Sequence, residues 1–161
     1  MSRLDSFIGR VTAQRDILNH IRDDLDLPKD GPVLEIGLGN GRTFDHLRER
    51  FPDRRIIAFD RACGAHATSV PEDGNLVLGE IRETGRGFET GTAALVHADI
   101  GTGYPEKDAV TLTWLPQMIA GMLAAGGIAA SGLPLDDPRL EVLVGPAAVP
   151  AGRYFLYRKR G

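Results

Sequence analysis

Three glycines at alternate positions, Gly37, Gly39 and Gly41, follow the apolar run Val33-Leu34-Glu35-Ile36 and precede a stretch of helical character. Residues without a Cβ at the turn from a strand into a helix let the backbone approach a ligand closely. The helix start adds unpaired N–H groups and a partial positive charge. A dinucleotide fingerprint, G-x-G-x-x-G, fails here by one residue, because Arg42 stands where the third glycine should be. Carboxylates recur after the apolar runs that come next. Asp60 closes Arg55-Ile56-Ile57-Ala58-Phe59, Glu80 follows Leu76-Val77-Leu78-Gly79, and Asp99 follows Ala94-Leu95-Val96-His97-Ala98. A carboxylate at a strand end can accept hydrogen bonds from two neighbouring hydroxyls. Asp99 is the candidate general base, since carboxyl ends of parallel strands face the ligand crevice. Strand alternation points His97 the same way, and a buried, hydrogen-bonded histidine is the favoured reading of it. Tyr104 and Trp114 are candidate substrate contacts, set against a loop aromatic covering the sheet edge for the first and a core residue for the second. Cys63, just after Asp60, reads as a small packing residue.

Elements must hold these residues in place. Residues 2–25 predict a helix, with Leu4, Phe7, Ile8, Val11, Leu18, Ile21 and Leu25 at three- and four-residue steps. Residues 33–36, 55–59, 76–78, 94–98 and 128–130 predict strands. Residues 42–51 predict a helix on Phe44, Leu47 and Phe51. A longer helix over 106–124 should kink or restart at Pro116 and stop at Gly126-Gly127. Residues 140–144 and 154–158 predict a β-hairpin. Strand–helix–strand units give parallel, right-handed neighbours. The expected architecture is one α/β domain over residues 1–161, with an N-terminal helix (1–27), a core (31–133) and a C-terminal hairpin (138–160).

Composition narrows the class. The chain has 161 residues, 42% hydrophobic and 25% charged, with net charge −3. Those proportions are those of an ordinary globular domain. The acidic balance lacks the footprint of a general nucleic-acid binder. A single cysteine excludes an intrachain disulfide and fits a reducing compartment. The charged opening Met1-Ser2-Arg3-Leu4-Asp5 is unlike an export signal. The longest apolar stretch, residues 118–130, is too short to span a bilayer. A cytoplasmic protein with no membrane or nucleic-acid partner is expected.

Glu35 through Gly41, with Asp60 and Glu80 in order behind them, resembles the motif set of class I S-adenosylmethionine (SAM)-dependent methyltransferases. The resemblance runs over residues 31–133. It implies a single Rossmann-like methyltransferase domain: a mostly parallel sheet with helices on both faces and a C-terminal antiparallel β-hairpin. It implies SAM as cofactor and S-adenosylhomocysteine (SAH) as product. It places cofactor contacts at Glu35, Gly37, Gly39, Gly41, Asp60, Arg61, Glu80, Ile81 and Asp99, with Asp60 on the ribose hydroxyls, Glu80 on the adenine amino group and Ile81 against the ring. The stretch from Leu95 to Tyr104 is also similar to metal-dependent small-molecule O-methyltransferases, whose fourth strand ends in Asp-Gly-Asp-His. Asp99 matches the first Asp, but Thr102 replaces the His and Ser131-Gly132 replaces later acidic residues. No catalytic metal is expected. The Asn/Asp-Pro-Pro-Tyr/Phe motif of amino-methylating nucleic-acid and protein enzymes and the Pro-Cys nucleophile of cytosine C5 enzymes are missing. The implied function is methyl transfer to a small-molecule acceptor. The alternative is a SAM- or SAH-binding protein without transfer activity, a sensor or partner subunit. Apolar residues on the N-terminal helix or the hairpin leave room for a homo-oligomer.

Overall fold

The computed structural model describes residues 1–161. Helix α1 (Arg3–Asp24) starts at a capping box: Ser2 Oγ accepts from Asp5 N–H at 3.0 Å, and Asp5 Oδ2 accepts from Ser2 N–H at 3.0 Å. Then come β1 (Val33–Ile36), α2 (Arg42–Arg50), β2 (Ile56–Asp60), β3 (Leu76–Leu78), the single turn α3 (Ile81–Thr84) and β4 (Ala93–Ala98). The chain ends with α4 (Pro105–Thr111), α5 (Leu115–Met122), β5 (Leu123–Ser131), β6 (Leu140–Val142) and β7 (Phe155–Lys159). The seven strands form one sheet in the order β3-β2-β1-β4-β5-β7-β6. The first five are mutually parallel, and β7 runs antiparallel to both β5 and β6. The order reverses between β1 and β4, which is where open α/β sheets place ligands, outside the carboxyl ends of the strands.

Two apolar layers cover the sheet. On one face Ile17, Leu18 and Ile21 of α1 and Phe44 and Leu47 of α2 pack on Val33, Ala58, Leu95 and Ile128. On the other, Leu115, Ile119 and Met122 of α5 pack on Leu34, Ile36, Phe59 and Val96. β1 and β4 are buried along their whole length, which is why their sequences read as continuous apolar runs.

Three expectations need correction. The apolar stripe of α1 is not buried throughout: Leu4, Phe7 and Ile8 are 66%, 40% and 51% exposed, because the first turns of α1 project beyond the core. The helix expected over 106–124 is not continuous but two helices, α4 and α5, and of the two alternatives at Pro116 the restart is the one found: Pro116 lies in the first turn of α5, where its missing N–H leaves no bond unmade. Gly126-Gly127 does not stop that helix. Helix α5 ends at Met122, and the glycines form an irregularity inside β5, which carries extra residues between the Ala93–Leu123 and Leu95–Ile128 pairs. Gly126 has φ +78°, and a Cβ on Gly127 would lie 3.0 Å from the Ala93 carbonyl oxygen.

Candidate active site

The glycine turn hangs on β2. Gly37 and Leu38 N–H both donate to the Phe59 carbonyl, at 2.9 and 3.2 Å. Gly37, Gly39 and Gly41 have φ of +92°, +52° and +90°. A Cβ on Gly37 would stand 2.6 Å from Ile100 Cγ2, and one on Gly41 2.6 Å from Ser69 Cβ, so both positions are closed to side chains from below. At Gly39 nothing lies within 4 Å of the missing Cβ, so a side chain there would project into the cleft. Asp60, at the end of β2, is part of this turn. Its Oδ2 accepts from Gly39 N–H at 2.9 Å and its Oδ1 from its neighbour Arg61 N–H at 2.7 Å. Arg61 Nε lies 3.2 Å from Glu80 Oε1, joining the end of β2 to the residue that precedes α3. Ile81 begins α3 and is almost wholly buried.

Above the turn lies a cavity of about 370 Å³ between α1, the glycine loop and the start of α2. Val11, Gln14 and Leu18 on α1 face Gly37–Thr43, and Arg10, Arg15, Arg42, His46 and Asp99 complete the wall. Asp99 follows β4, and its N–H donates to the Ile36 carbonyl at 3.0 Å. Its carboxylate, a quarter exposed, meets Arg10 Nη1 at 3.2 Å, so an ion pair spans the cleft from α1 to the sheet. His46 Nε2–H donates to Asn19 Oδ1 at 2.8 Å, and partial burial lowers its pKa, which keeps it neutral.

Beneath the turn is a buried polar chain. His97 Nδ1 stands 2.6 Å from Glu35 Oε1, and His97 Nε2 is hydrogen-bonded to the Tyr154 hydroxyl. Glu35 and His97 are both fully buried. Burial pushes the Glu35 carboxyl up, against the downward pull of His97. Burial alone would push His97 down, but the charge and hydrogen bond of Glu35 outweigh it and raise it. Both shifts have one meaning: the pair holds a shared proton rather than leave a lone carboxylate in the core. Burial, then the charges of Asp99 and Glu35, raises the Tyr154 phenol well above its ordinary value.

Of the residues singled out in the sequence, Gly37, Gly39, Gly41 and Asp99 line the cavity, and Asp60 borders the turn beneath it. Arg61, Glu80 and Ile81 gather at the neighbouring strand ends. Glu35 stands under the loop and not in the cavity. Tyr104 is largely exposed, with Lys107 Nζ 5.1 Å from its ring centre. Trp114 packs on the apolar layer of the opposite face, with α5. Arg10, Gln14, Arg15, Arg42, Thr43 and His46 were not anticipated. Gln14 had a legible signal, a polar residue in the stripe between Val11 and Leu18. The Arg10–Asp99 pairing joins residues too distant in the chain to be read from it.

The strand order, the glycine turn into α2 and the carboxylate on that turn define the class I SAM-dependent methyltransferase architecture. The chain belongs to the S-adenosyl-L-methionine methyltransferase family, whose model matches residues 1–159. Its fold is similar to the crystal structure of an S-adenosyl-L-methionine methyltransferase from Silicibacter pomeroyi DSS-3, with 40% identity, TM-score 0.91 and 99% of each chain covered. More distant folds include a 1,6-didemethyltoxoflavin-N1-methyltransferase from Burkholderia thailandensis with bound 1,6-didemethyltoxoflavin and SAH. It shows 17% identity and TM-score 0.58, with 95% of this chain and 79% of that one covered. Human methyltransferase-like protein 13 in complex with SAH shows 14% identity and TM-score 0.54, with 97% and 80% covered. A search of curated proteins found no match. The protein is therefore a SAM-dependent methyltransferase. The space over Gly39 is open, which fits a cofactor lying on the turn.

Proposed function

We propose that this methyltransferase acts on a small molecule that enters between α1 and the glycine turn. The roof that α1 places over the glycine turn carries this reading, because it narrows the approach to a cavity of about 370 Å³ whose floor the cofactor would share. Gly37, Gly39 and Gly41 would hold the amino-acid end of the cofactor and Asp60 the ribose hydroxyls, with Arg61, Glu80 and Ile81 around the base. Glu35 would support the loop from below. The cofactor supplies a methyl group already activated on a sulfonium. The protein then has to align an acceptor and exclude water, and alignment alone is worth roughly 7–11 kcal/mol. Asp99 is the group placed to accept a proton from the acceptor, and Arg10 holds its carboxylate over the cleft. Neither Tyr104 nor Trp114 lines the cavity, so the acceptor site proposed here does not include them. No helix is long and apolar enough to cross a membrane. The single cysteine, Cys63, is free and exposed, which supports a reducing, cytoplasmic setting. The exposed Leu4 and Ile8 support a homo-oligomer through the start of α1.

The test is a metabolite screen that reads out SAH release, beside calorimetry of SAM, SAH and NAD. SAM and SAH should bind and NAD should not. Turnover on a protein or nucleic acid but on no small molecule would overturn the reading.

A further inference from the structure

Resting on the methyltransferase reading above, we propose that the acceptor is a small organic anion, held at the cavity mouth by Arg10 and Arg42. The first ground is charge. Three guanidiniums, Arg10, Arg15 and Arg42, line the cavity against one carboxylate, Asp99, and His46 is held neutral. Arg15 is paired at 2.9 Å with Asp16, which stands outside the lining, and Arg10 shares Asp99. Arg42 has no acidic partner in the chain. A sulfonium cofactor bears a net positive charge, since its ammonium and carboxylate cancel. Arg42 and the sulfonium together leave the cleft net positive, which favours an anionic acceptor over a neutral or cationic one.

The second ground is geometry. The Phe7 ring, in the part of α1 that projects from the core, lies 5.6 Å from the Arg10 guanidinium and 5.8 Å from that of Arg42. The ring sets both cations at one rim, one on α1 and one at the start of α2. Guanidinium forks bind carboxylate and phosphate oxygens through paired N–H donors.

The experiment uses protein saturated with SAH, at a concentration set by the affinity measured for each variant. Benzoate, phenyl phosphate and the neutral isostere benzamide are titrated by calorimetry at one fixed, low ionic strength. Benzoate or phenyl phosphate should bind at least about tenfold tighter than benzamide, the range for hydrogen bonds to a charged group. Arg10→Gln and Arg42→Gln should each remove most of that preference, and raised salt should weaken it. The preference of one anion over the other separates a carboxylate from a phosphate acceptor. Equal affinity for anion and amide, or no binding of either at millimolar concentration, overturns the proposal and leaves the methyltransferase reading standing. An anion preference that survives in both variants also overturns it, since the anion then sits elsewhere. Failure of the wild-type protein to bind SAH overturns the reading on which the proposal rests.

Discussion

Two carboxylates at the strand ends on either side of β1 have different surroundings, and the difference separates their roles. Asp60 accepts two backbone N–H bonds, one from Gly39 and one from Arg61, and so is built into the turn. Asp99 has a single side-chain partner, Arg10, across the cleft. If Asp60 holds the ribose as proposed, replacing it with Ala should weaken SAM binding by about 1.5–3 kcal/mol through loss of a charged acceptor. Calorimetry that showed an unchanged affinity would place the ribose elsewhere. Replacing Asp99 with Asn keeps shape and removes basicity. Turnover should fall by roughly 10²-fold or more, the contribution of a positioned general base, while SAM affinity changes far less. If steady-state kinetics and calorimetry showed equal losses, Asp99 would be a cofactor ligand and not a base.

The same division runs through the elements, and the glycine turn shows it most clearly. Gly37→Ala places a Cβ against Ile100 and the Asp99 carbonyl at a φ of +92°. It should lower folding stability by about 1–3 kcal/mol through crowding. Gly39→Ala meets nothing in the protein. Its penalty to the fold is only that of a left-handed backbone, about 1–2 kcal/mol, yet its methyl group enters the cleft. Urea titration should therefore rank Gly37→Ala as the less stable variant, and SAM titration should show Gly39→Ala impaired beyond what its stability explains. Retained affinity in Gly39→Ala would show that the cofactor does not lie on the turn. This turn was legible because local rules fix it: an apolar run, three residues free of Cβ, then a helix start. The strands were legible for a related reason, since buried parallel strands read as unbroken apolar runs. The failures fell where tertiary context decides. Nothing in the spacing of Leu4, Phe7 and Ile8 says that the core ends beneath them. Nothing in Met122-Leu123-Ala124 says that pairing with β4 claims Leu123 from a helix.

Across the whole molecule, the parts of the site that the sequence concealed are those that join distant segments. Asp99 and the glycines could be read from their positions after strands, but Arg10 reaches the cleft only because α1 packs back over the sheet. The buried chain is the extreme case: Glu35 from β1, His97 from β4 and Tyr154 from the entry to β7 meet under the cofactor loop. Its behaviour with pH is a prediction for the entire fold. Both Glu35 and His97 have raised pKa values, so the folded pair keeps its shared proton at a pH where the unfolded chain has released it. The stability this proton provides is fully present below the ordinary histidine value of 6.5 and is lost as pH rises through the folded pKa. The slope can reach about 1.4 kcal/mol per pH unit for a difference of one proton. In a chain of this size that corresponds to a fall in Tm of about 2–4 °C for each kcal/mol. Glu35→Gln should reverse the sign. Without the carboxylate, burial is the dominant influence on His97 and depresses its pKa. The unfolded state then binds the extra proton, and stability should rise as pH increases through 6.5. Thermal unfolding of both proteins from pH 5 to 9 gives the comparison. Parallel Tm curves would mean that the pair carries no shared proton and that Glu35 enters the core only as a spacer beneath the loop.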